Sequence, residues 1–84
     1  IHISDKILKA IVEKEVSVTP EIAVCKHVSV QMYMTPIIHV HVNVSFPLER
    51  SLHEIGIDIQ KRIIEAFRYY LELEIDKVKV FFEK

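Results

Sequence analysis

Glycine and cysteine are nearly absent from this sequence, which has one residue of each in 84. The shortage of glycine excludes collagen-like repeats and flexible linkers, and an apolar content of 50% excludes intrinsic disorder. A single cysteine, Cys25, excludes an intrachain disulfide and suits a reducing compartment. We expect residues 1–84 to form one compact domain in which Cys25 is a small strand residue rather than a nucleophile.

An excess of charge of either sign is also missing, since 11 Lys and Arg residues stand against 12 Asp and Glu residues. A nucleic-acid-binding domain usually carries a basic excess, because counterion release from phosphates supplies much of its affinity. The net charge of −1 makes nucleic acid an unfavoured partner without excluding it. The longest apolar run covers four residues, 22–25, whereas a bilayer-spanning helix needs about 20. We expect no transmembrane segment in these residues, and their start at Ile1 rather than Met leaves open whether they belong to a longer chain.

Two helices are predicted from their capping residues and apolar periods. Ser4 stands at an N-cap position, and the apolar face that follows predicts a helix of about three turns that ends before residues 19–20. Ser51 and Glu54 have the capping-box spacing. Apolar residues at steps of three and four then predict a long helix to about Leu71.

Residues 22–46 change to an apolar period of two, which predicts two antiparallel strands with one apolar face each. Val24 is predicted on the apolar face and Cys25 on the polar one. Opposed residues of an antiparallel pair share a face, so only a loop of odd length keeps the two apolar faces together. We therefore predict a loop of about three or five residues that contains Thr35 and Pro36. The predicted pairs are Val30 with Val40, Val28 with Val42, Ser29 with His41, and Gln31 with His39.

Residues 77–82 alternate again and predict a final strand, which the long helix connects to a parallel neighbour. Residues 1–3 predict an additional stub of strand at the start. The element order is therefore (β)-α-β-β-α-β. We predict an α+β fold, a two-layer sandwich in which two helices pack on one face of a three- to four-stranded mixed sheet and leave its other face open.

The open face of the predicted sheet gathers histidines from two neighbouring strands. His39 and His41 lie about 7 Å apart at Cα on one strand, and His27 lies diagonal to His41 on the other. Three histidines can bind zinc, but no carboxylate on these strands offers a fourth ligand or orients the imidazoles. We assign no metal, cofactor or catalytic residue, and whether these histidines bind metal stays open. The candidate interaction surface on this face comprises His27, Tyr33, His39, His41, Asn43, Lys77 and Lys79.

The long helix carries a further candidate surface. Ile57, Ile64 and Leu71 recur at heptad spacing, to one side of the main apolar face of the helix. They either widen the buried stripe toward the first helix or form an exposed apolar strip of the kind that marks association surfaces. Ile57 and Ile64 therefore join the candidate interaction surface, and the lone Gly56 is predicted to permit close packing against the first helix.

RNA binding is the alternative hypothesis, because some RNA-binding modules share this element order. A KH-like domain uses a GxxG loop to approach the phosphate backbone, and a chain with one glycine lacks that loop. An RRM-like sheet uses aromatic residues on its central strands, where this chain carries histidines. The alternative is therefore a KH-like or ribosome-associated RNA-binding domain without a GxxG loop.

Four stretches resemble the alkaline shock protein family. They are residues 1–11 (IHISDKILKAI), 39–44 (HVHVNV), 52–55 with 59–60 (LHEI and IQ) and 75–80 (IDKVKV). The family's usual Gly-Leu pair before the last strand is Glu72-Leu73 here. The resemblance implies a non-enzymatic bacterial protein of the cytoplasm, tied to cell-envelope stress or lipid metabolism, with no catalytic residues to carry over. It also implies a homo-oligomer that is peripheral to the membrane through a separate anchor protein.

Overall fold

The chain forms two helices and three strands in the order α-β-β-α-β, in a computed structural model that describes residues 4–32, 36–75 and 77–83. The strands form one sheet in the order β1-β2-β3, with β1 antiparallel and β3 parallel to β2. The predicted α+β fold with a mixed sheet is thereby confirmed. The predicted strand at residues 1–3 lies outside the described residues. In chain order the elements are α1 (Asp5–Ser17), β1 (Ile22–Met32), β2 (Pro36–Val44), α2 (Leu52–Leu71) and β3 (Lys77–Glu83).

Serine residues start both helices, as their spacing predicts. The Ser4 hydroxyl accepts a hydrogen bond from the Ile7 amide at 3.4 Å, and the Ser51 hydroxyl accepts one from the Glu54 amide at 3.1 Å. The bond from Ser51 satisfies an amide that has no partner within its own helix, whereas the Ile7 amide also donates to the Ser4 carbonyl at 3.1 Å. Helix α2 ends at Leu71 and is capped by Glu72, whose φ of 52° is the left-handed conformation that usually selects glycine at a helix end.

The core lies between the two helices and one face of the sheet. Helix α1 packs over β1, helix α2 packs over β3, and the two helices contact each other. Both helices therefore cover the same face, as the sequence predicts. The core residues are Leu8, Val12, Val16, Val28, Ile38, Val40, Val42, Ile55, Ile59, Ile63, Phe67, Ile75 and Val78.

The register between β1 and β2 differs from the predicted one by two residues. Met32 pairs with Pro36, so three residues separate the strands and Pro36 opens β2 instead of lying in the loop. Proline is tolerated as the first residue of a strand. The odd loop length is confirmed, but the predicted partners were wrong. A slip of two residues leaves every side chain on the same face of the sheet, so matching the apolar faces cannot detect it. The observed pairs include Val28 with Val40, Ser29 with His39, Val30 with Ile38, and Gln31 with Ile37.

Two bulges interrupt β1 and exchange the faces of residues near its start. The register shifts between Ile22 and Val24 and again between Cys25 and His27. An inserted residue turns the neighbouring side chains to the other side of the sheet. Cys25 therefore pairs with the buried Val42 and packs against the core, whereas Val24 is 53% exposed. The predicted faces of Val24 and Cys25 were wrong because strict alternation cannot reveal a bulge.

A network of ion pairs joins the start of β1 to helix α2. Arg50 donates to the two carboxylate oxygens of Glu21 at 2.6 and 2.7 Å, and it also contacts Asp58 at 3.4 Å. Asp58 accepts a further hydrogen bond from Arg62 at 3.2 Å. The hydrogen bond from Arg50 lowers the pKa of the Glu21 carboxyl below its usual value. Glu21 is therefore held ionised where the segment before α2 meets the sheet.

Candidate interaction surfaces

The open face of the sheet brings together the histidines that the sequence places there. His27 of β1 lies directly opposite His41 of β2, and their ring centroids are 5.9 Å apart. The predicted diagonal placement of His27 was wrong because the strands pair in a register two residues away. Tyr33 lies outside the described residues. The other predicted members, which share this face through the β2–β3 register, are His39, Asn43, Lys77 and Lys79.

Phe81 of β3 lies among these histidines and contacts two of them. Its ring stacks on His41 with 4.7 Å between centroids and 16° between planes, and it meets the edge of the His39 ring at 5.7 Å. Phe81 nevertheless stays 40% exposed. The alternation of β3 places Phe81 on this face, but the candidate surface drawn from the sequence did not include it. The apolar part of the open face is therefore larger than that of the candidate surface drawn from the sequence.

Charge is distributed unevenly along the open face. Lys77 and Lys79 are exposed toward one end. Glu83 lies at the other end, with its carboxylate 3.9 Å from Nδ1 of His41. Beside Glu83, the side-chain oxygen of Asn43 is buried and has no hydrogen-bond donor among the described residues. An unsatisfied buried acceptor is unfavourable, so this oxygen costs the fold some stability.

The histidines of one copy do not by themselves complete a metal site. Zinc sites in proteins use three or four protein ligands. Within residues 4–32, 36–75 and 77–83, no group of three or more His, Cys, Asp or Glu side chains is arranged to hold a metal ion. Cys25 packs against the core, where burial, followed by the negative charge of Glu13, raises the pKa of its thiol. The open face therefore offers the two imidazoles of His27 and His41 as its best-placed ligands.

A second surface lies on the helix side of β3, at the edge of the sheet. Leu52 and Ile57 of α2 and Val80 and Phe82 of β3 line a cleft of about 340 Å³. Leu52 and Ile57 are 40% and 37% exposed at its rim. Exposed apolar side chains around a cleft indicate a surface that gains free energy when a partner covers it.

Gly56 faces β3 rather than the first helix. A Cβ atom at this position would lie 3.6 Å from Cε2 and 3.7 Å from Cζ of Phe82. The predicted close packing against α1 was therefore wrong, since a lone glycine in a helix does not say which neighbour it meets. Ile64 and Leu71 pack against the core, so the apolar strip is exposed only near Ile57.

The outer edge of β3 has no strand partner among the described residues. Gln60 of α2 donates a hydrogen bond from Nε2 to the backbone carbonyl of Val78 at 2.9 Å. Because the Val78 carbonyl bonds the Gln60 side chain, it points to the outer edge and not toward β2. Along a strand, the backbone N–H and C=O groups of one residue point to one side and those of the next residue point to the other. Val80 and Phe82 therefore also present backbone N–H and C=O groups to the outer edge.

No protein-family model and no curated protein matches the chain. Solved structures match its fold: MamM-CTD 215-293 is 11% identical, with 95% of this chain and 98% of that chain covered and a TM-score of 0.64. A copper form and a cadmium form of MamM CTD variants are 12% and 11% identical, each with 95% of this chain and 96% of that chain covered and a TM-score of 0.64. At these identities the likeness shows the fold alone.

Proposed function

We propose that this chain is a non-enzymatic interaction domain that associates with a second copy of itself. The exposed apolar residues of α2 and β3 beside the outer edge of the sheet carry this proposal. Leu52 and Ile57 on the helix side and Phe81 on the open side keep 37% to 40% of their surface exposed, next to a strand edge that has no partner among the described residues. Leu52 and Ile57 lie around one cleft together with Val80 and Phe82, and contiguous exposed apolar surface of this kind marks association sites, whereas scattered single residues do not.

The chemistry of the described residues favours binding over catalysis. Cys25 packs against the core, and its raised pKa keeps the thiol protonated at neutral pH. His41 lies between the rings of His27 and Phe81, which differs from the pairing of a base with a nucleophile in covalent catalysis. These residues are suited to contact a partner rather than to activate a bond.

The resemblance to the alkaline shock protein family supports the same role, because it implies a self-assembling domain. Membership of that family and a link to envelope stress or lipid metabolism stay predictions. Neither helix in the described part of the chain is long and apolar enough to cross a bilayer. A cytoplasmic position at the membrane surface, reached through a protein partner, also stays a prediction.

The RNA-binding alternative gains no support from the open face. A base-stacking sheet needs aromatic residues on its central strand. The central strand β2 presents His39, His41 and Asn43 there, and Phe81 lies on the neighbouring strand.

Light scattering coupled to size-exclusion chromatography tests self-association. As concentration rises through the micromolar range, we expect the measured mass to rise from that of one 9.8 kDa chain toward twice that value. Ile57→Asp should weaken association, whereas Tyr69→Asp, at an exposed position far along α2, should leave it unchanged. A mass of one chain at every concentration would overturn the proposal.

Transition-metal binding is a second candidate function, favoured by the direct opposition of His27 and His41. Imidazole is a preferred ligand of Cu²⁺ and Zn²⁺, and rings 5.9 Å apart can converge on one ion after small rotations. Two of the structurally similar domains are named as copper and cadmium forms. In calorimetric titration of tag-free protein with Cu²⁺, we expect His27→Ala to abolish binding. His53→Ala, which removes an imidazole from α2, should preserve it, and equal binding by both variants would reject the site.

A further inference from the structure

The two outer strands of the described sheet differ in how well their edges suit pairing with another strand. Strand β1 carries two register shifts, and bulges of this kind twist an edge away from incoming strands. Strand β3 pairs with β2 over seven consecutive residues without a shift, and it contains no proline. The edge of β3 is therefore the better suited of the two to pair with another strand. Its backbone N–H and C=O groups at Val78, Val80 and Phe82 point outward.

The sequence of β3 is complementary to itself when two copies run antiparallel. With Val80 opposite Val80 of a second copy, all seven residues of the strand pair. The outward-pointing residues are then the hydrogen-bonded ones, which is the pattern that an antiparallel ladder requires. The resulting pairs are Lys77 with Glu83, Val78 with Phe82, Lys79 with Phe81, and Val80 with Val80.

These pairs match in chemistry on both faces of the joined sheet. On the open face, Lys77 meets the carboxylate of Glu83 from the second copy, and Lys79 meets the ring of Phe81. On the helix face, Val78 meets the ring of Phe82. A slip of two residues in one direction sets Lys79 opposite Lys79. The opposite slip sets Lys79 opposite Glu83 but leaves Lys77 without a partner among the seven described residues of β3, so the register centred on Val80, in which all seven pair, is favoured.

The cleft beside β3 opens at the same edge. Pairing of the two β3 strands about a two-fold axis brings the second copy's α2 alongside the first, over the exposed Leu52 and Ile57. Gln60 already bonds the carbonyl of Val78, but a carbonyl oxygen has two lone pairs and accepts a second donor from the partner strand. The apolar rim and the strand edge are therefore covered by one partner.

We infer that β3 is the self-association strand and that two copies join antiparallel with Lys77 of each opposite Glu83 of the other, so that the three described strands of each copy form one continuous sheet. This inference rests on the proposed self-association and assigns it to one edge. Its partner is a second copy of this chain, because the match of charges and apolar residues is internal to β3.

Charge reversal tests the register. In the proposed dimer each single variant, Lys77→Glu or Glu83→Lys, creates two like-charge pairs, so we expect the dissociation constant to rise by about tenfold. The double variant restores both pairs and should return the constant to within about threefold of the original. Lys6→Glu on α1 makes the same change of net charge as Lys77→Glu away from the edge and should leave dimerisation unchanged.

Hydrogen exchange by NMR supplies the second readout. The amides of Val80 and Phe82 should gain protection as concentration rises, whereas those of Lys79 and Phe81, which face β2, should be protected throughout. If dimers form without this gain and without the effect of Lys77→Glu, the edge assignment is overturned while self-association stands. If the chain stays monomeric at every concentration, both proposals fail.

Discussion

Phe81 stacks on His41 across the β2–β3 ladder, with 4.7 Å between ring centroids and 16° between ring planes. The contact lies on the face that the helices leave open, so it links two strands without help from the core. Stacked rings add stabilisation beyond the apolar area that they bury. The open face therefore contributes to the stability of the fold as well as presenting a surface for binding.

Replacing Phe81 with leucine should reveal that contribution. Phe81→Leu keeps an apolar side chain but removes the ring, and we expect the free energy of unfolding to fall by about 0.5–1.5 kcal/mol. Phe46→Leu is the matched control, because Phe46 is 75% exposed and should change stability by less than about 0.5 kcal/mol. Urea denaturation at a concentration where the chain is monomeric measures both. Equal losses in the two variants would show that the stack contributes nothing.

The bulges of β1 predict that a lysine is tolerated at Val24 and not at Cys25, whereas simple alternation predicts the opposite. Val24→Lys should change stability by less than about 0.5 kcal/mol because Val24 points to solvent. Cys25→Lys should cost about 1–3 kcal/mol because the side chain packs against the core beside Val42. Thermal denaturation of both variants ranks them, and the opposite ranking would place the bulges elsewhere.

Local signals in the sequence account for the elements and, outside the bulged start of β1, for the face that each one buries. Ser4 and Ser51 are recognisable because an N-cap needs a side-chain oxygen immediately before an apolar helical period. The alternation after residue 22 indicates strands because successive side chains of a strand point to opposite faces. These signals come from residues that are close together in the chain, so they can be recognised without knowing the tertiary contacts.

The pairing partners depend on contacts that the local pattern does not encode. Pro36 enters β2 rather than the loop, and this shifts the pairs of residues 27–32 by two residues while keeping those side chains on their predicted faces. The opposition of His27 and His41 and the stack on Phe81 follow from that register. The members of the candidate surface were therefore predictable in part, since Phe81 was left out of the set, and the geometry of the surface was not predictable.

The end of helix α2 offers a stabilising substitution. Glu72 adopts φ 52°, a conformation that costs L-residues with a Cβ but not glycine. Its negative charge also lies at the helix C-terminus, where the dipole disfavours it. Glu72→Gly should therefore raise the free energy of unfolding by about 0.5–1 kcal/mol, measured by urea denaturation.

Two controls separate the causes of that gain. Glu72→Gln removes only the charge and should give a smaller increase than Glu72→Gly. Glu65→Gly, at an exposed position inside the same helix, should lower stability by about 1 kcal/mol because glycine disfavours helix interiors. A loss on Glu72→Gly would mean that the backbone there is not left-handed in solution.

The ion pair between Arg50 and Glu21 predicts a stability difference that depends on pH. Because Arg50 lowers the pKa of Glu21 in the folded chain, the pair stabilises the fold fully above the ordinary carboxyl value of 4.5, and this stabilisation is lost as pH falls through the lowered value. Arg50→Gln should therefore lower Tm at neutral pH, and the difference in Tm between this variant and the unmodified chain should become smaller in acid.

Arg68→Gln breaks the more exposed pair with Glu74 and should lower Tm less. Thermal melts of all three proteins from neutral to acidic pH provide the comparison. A gap for Arg50→Gln that stays constant into strong acid would mean that Glu21 is not the partner through which Arg50 stabilises the fold.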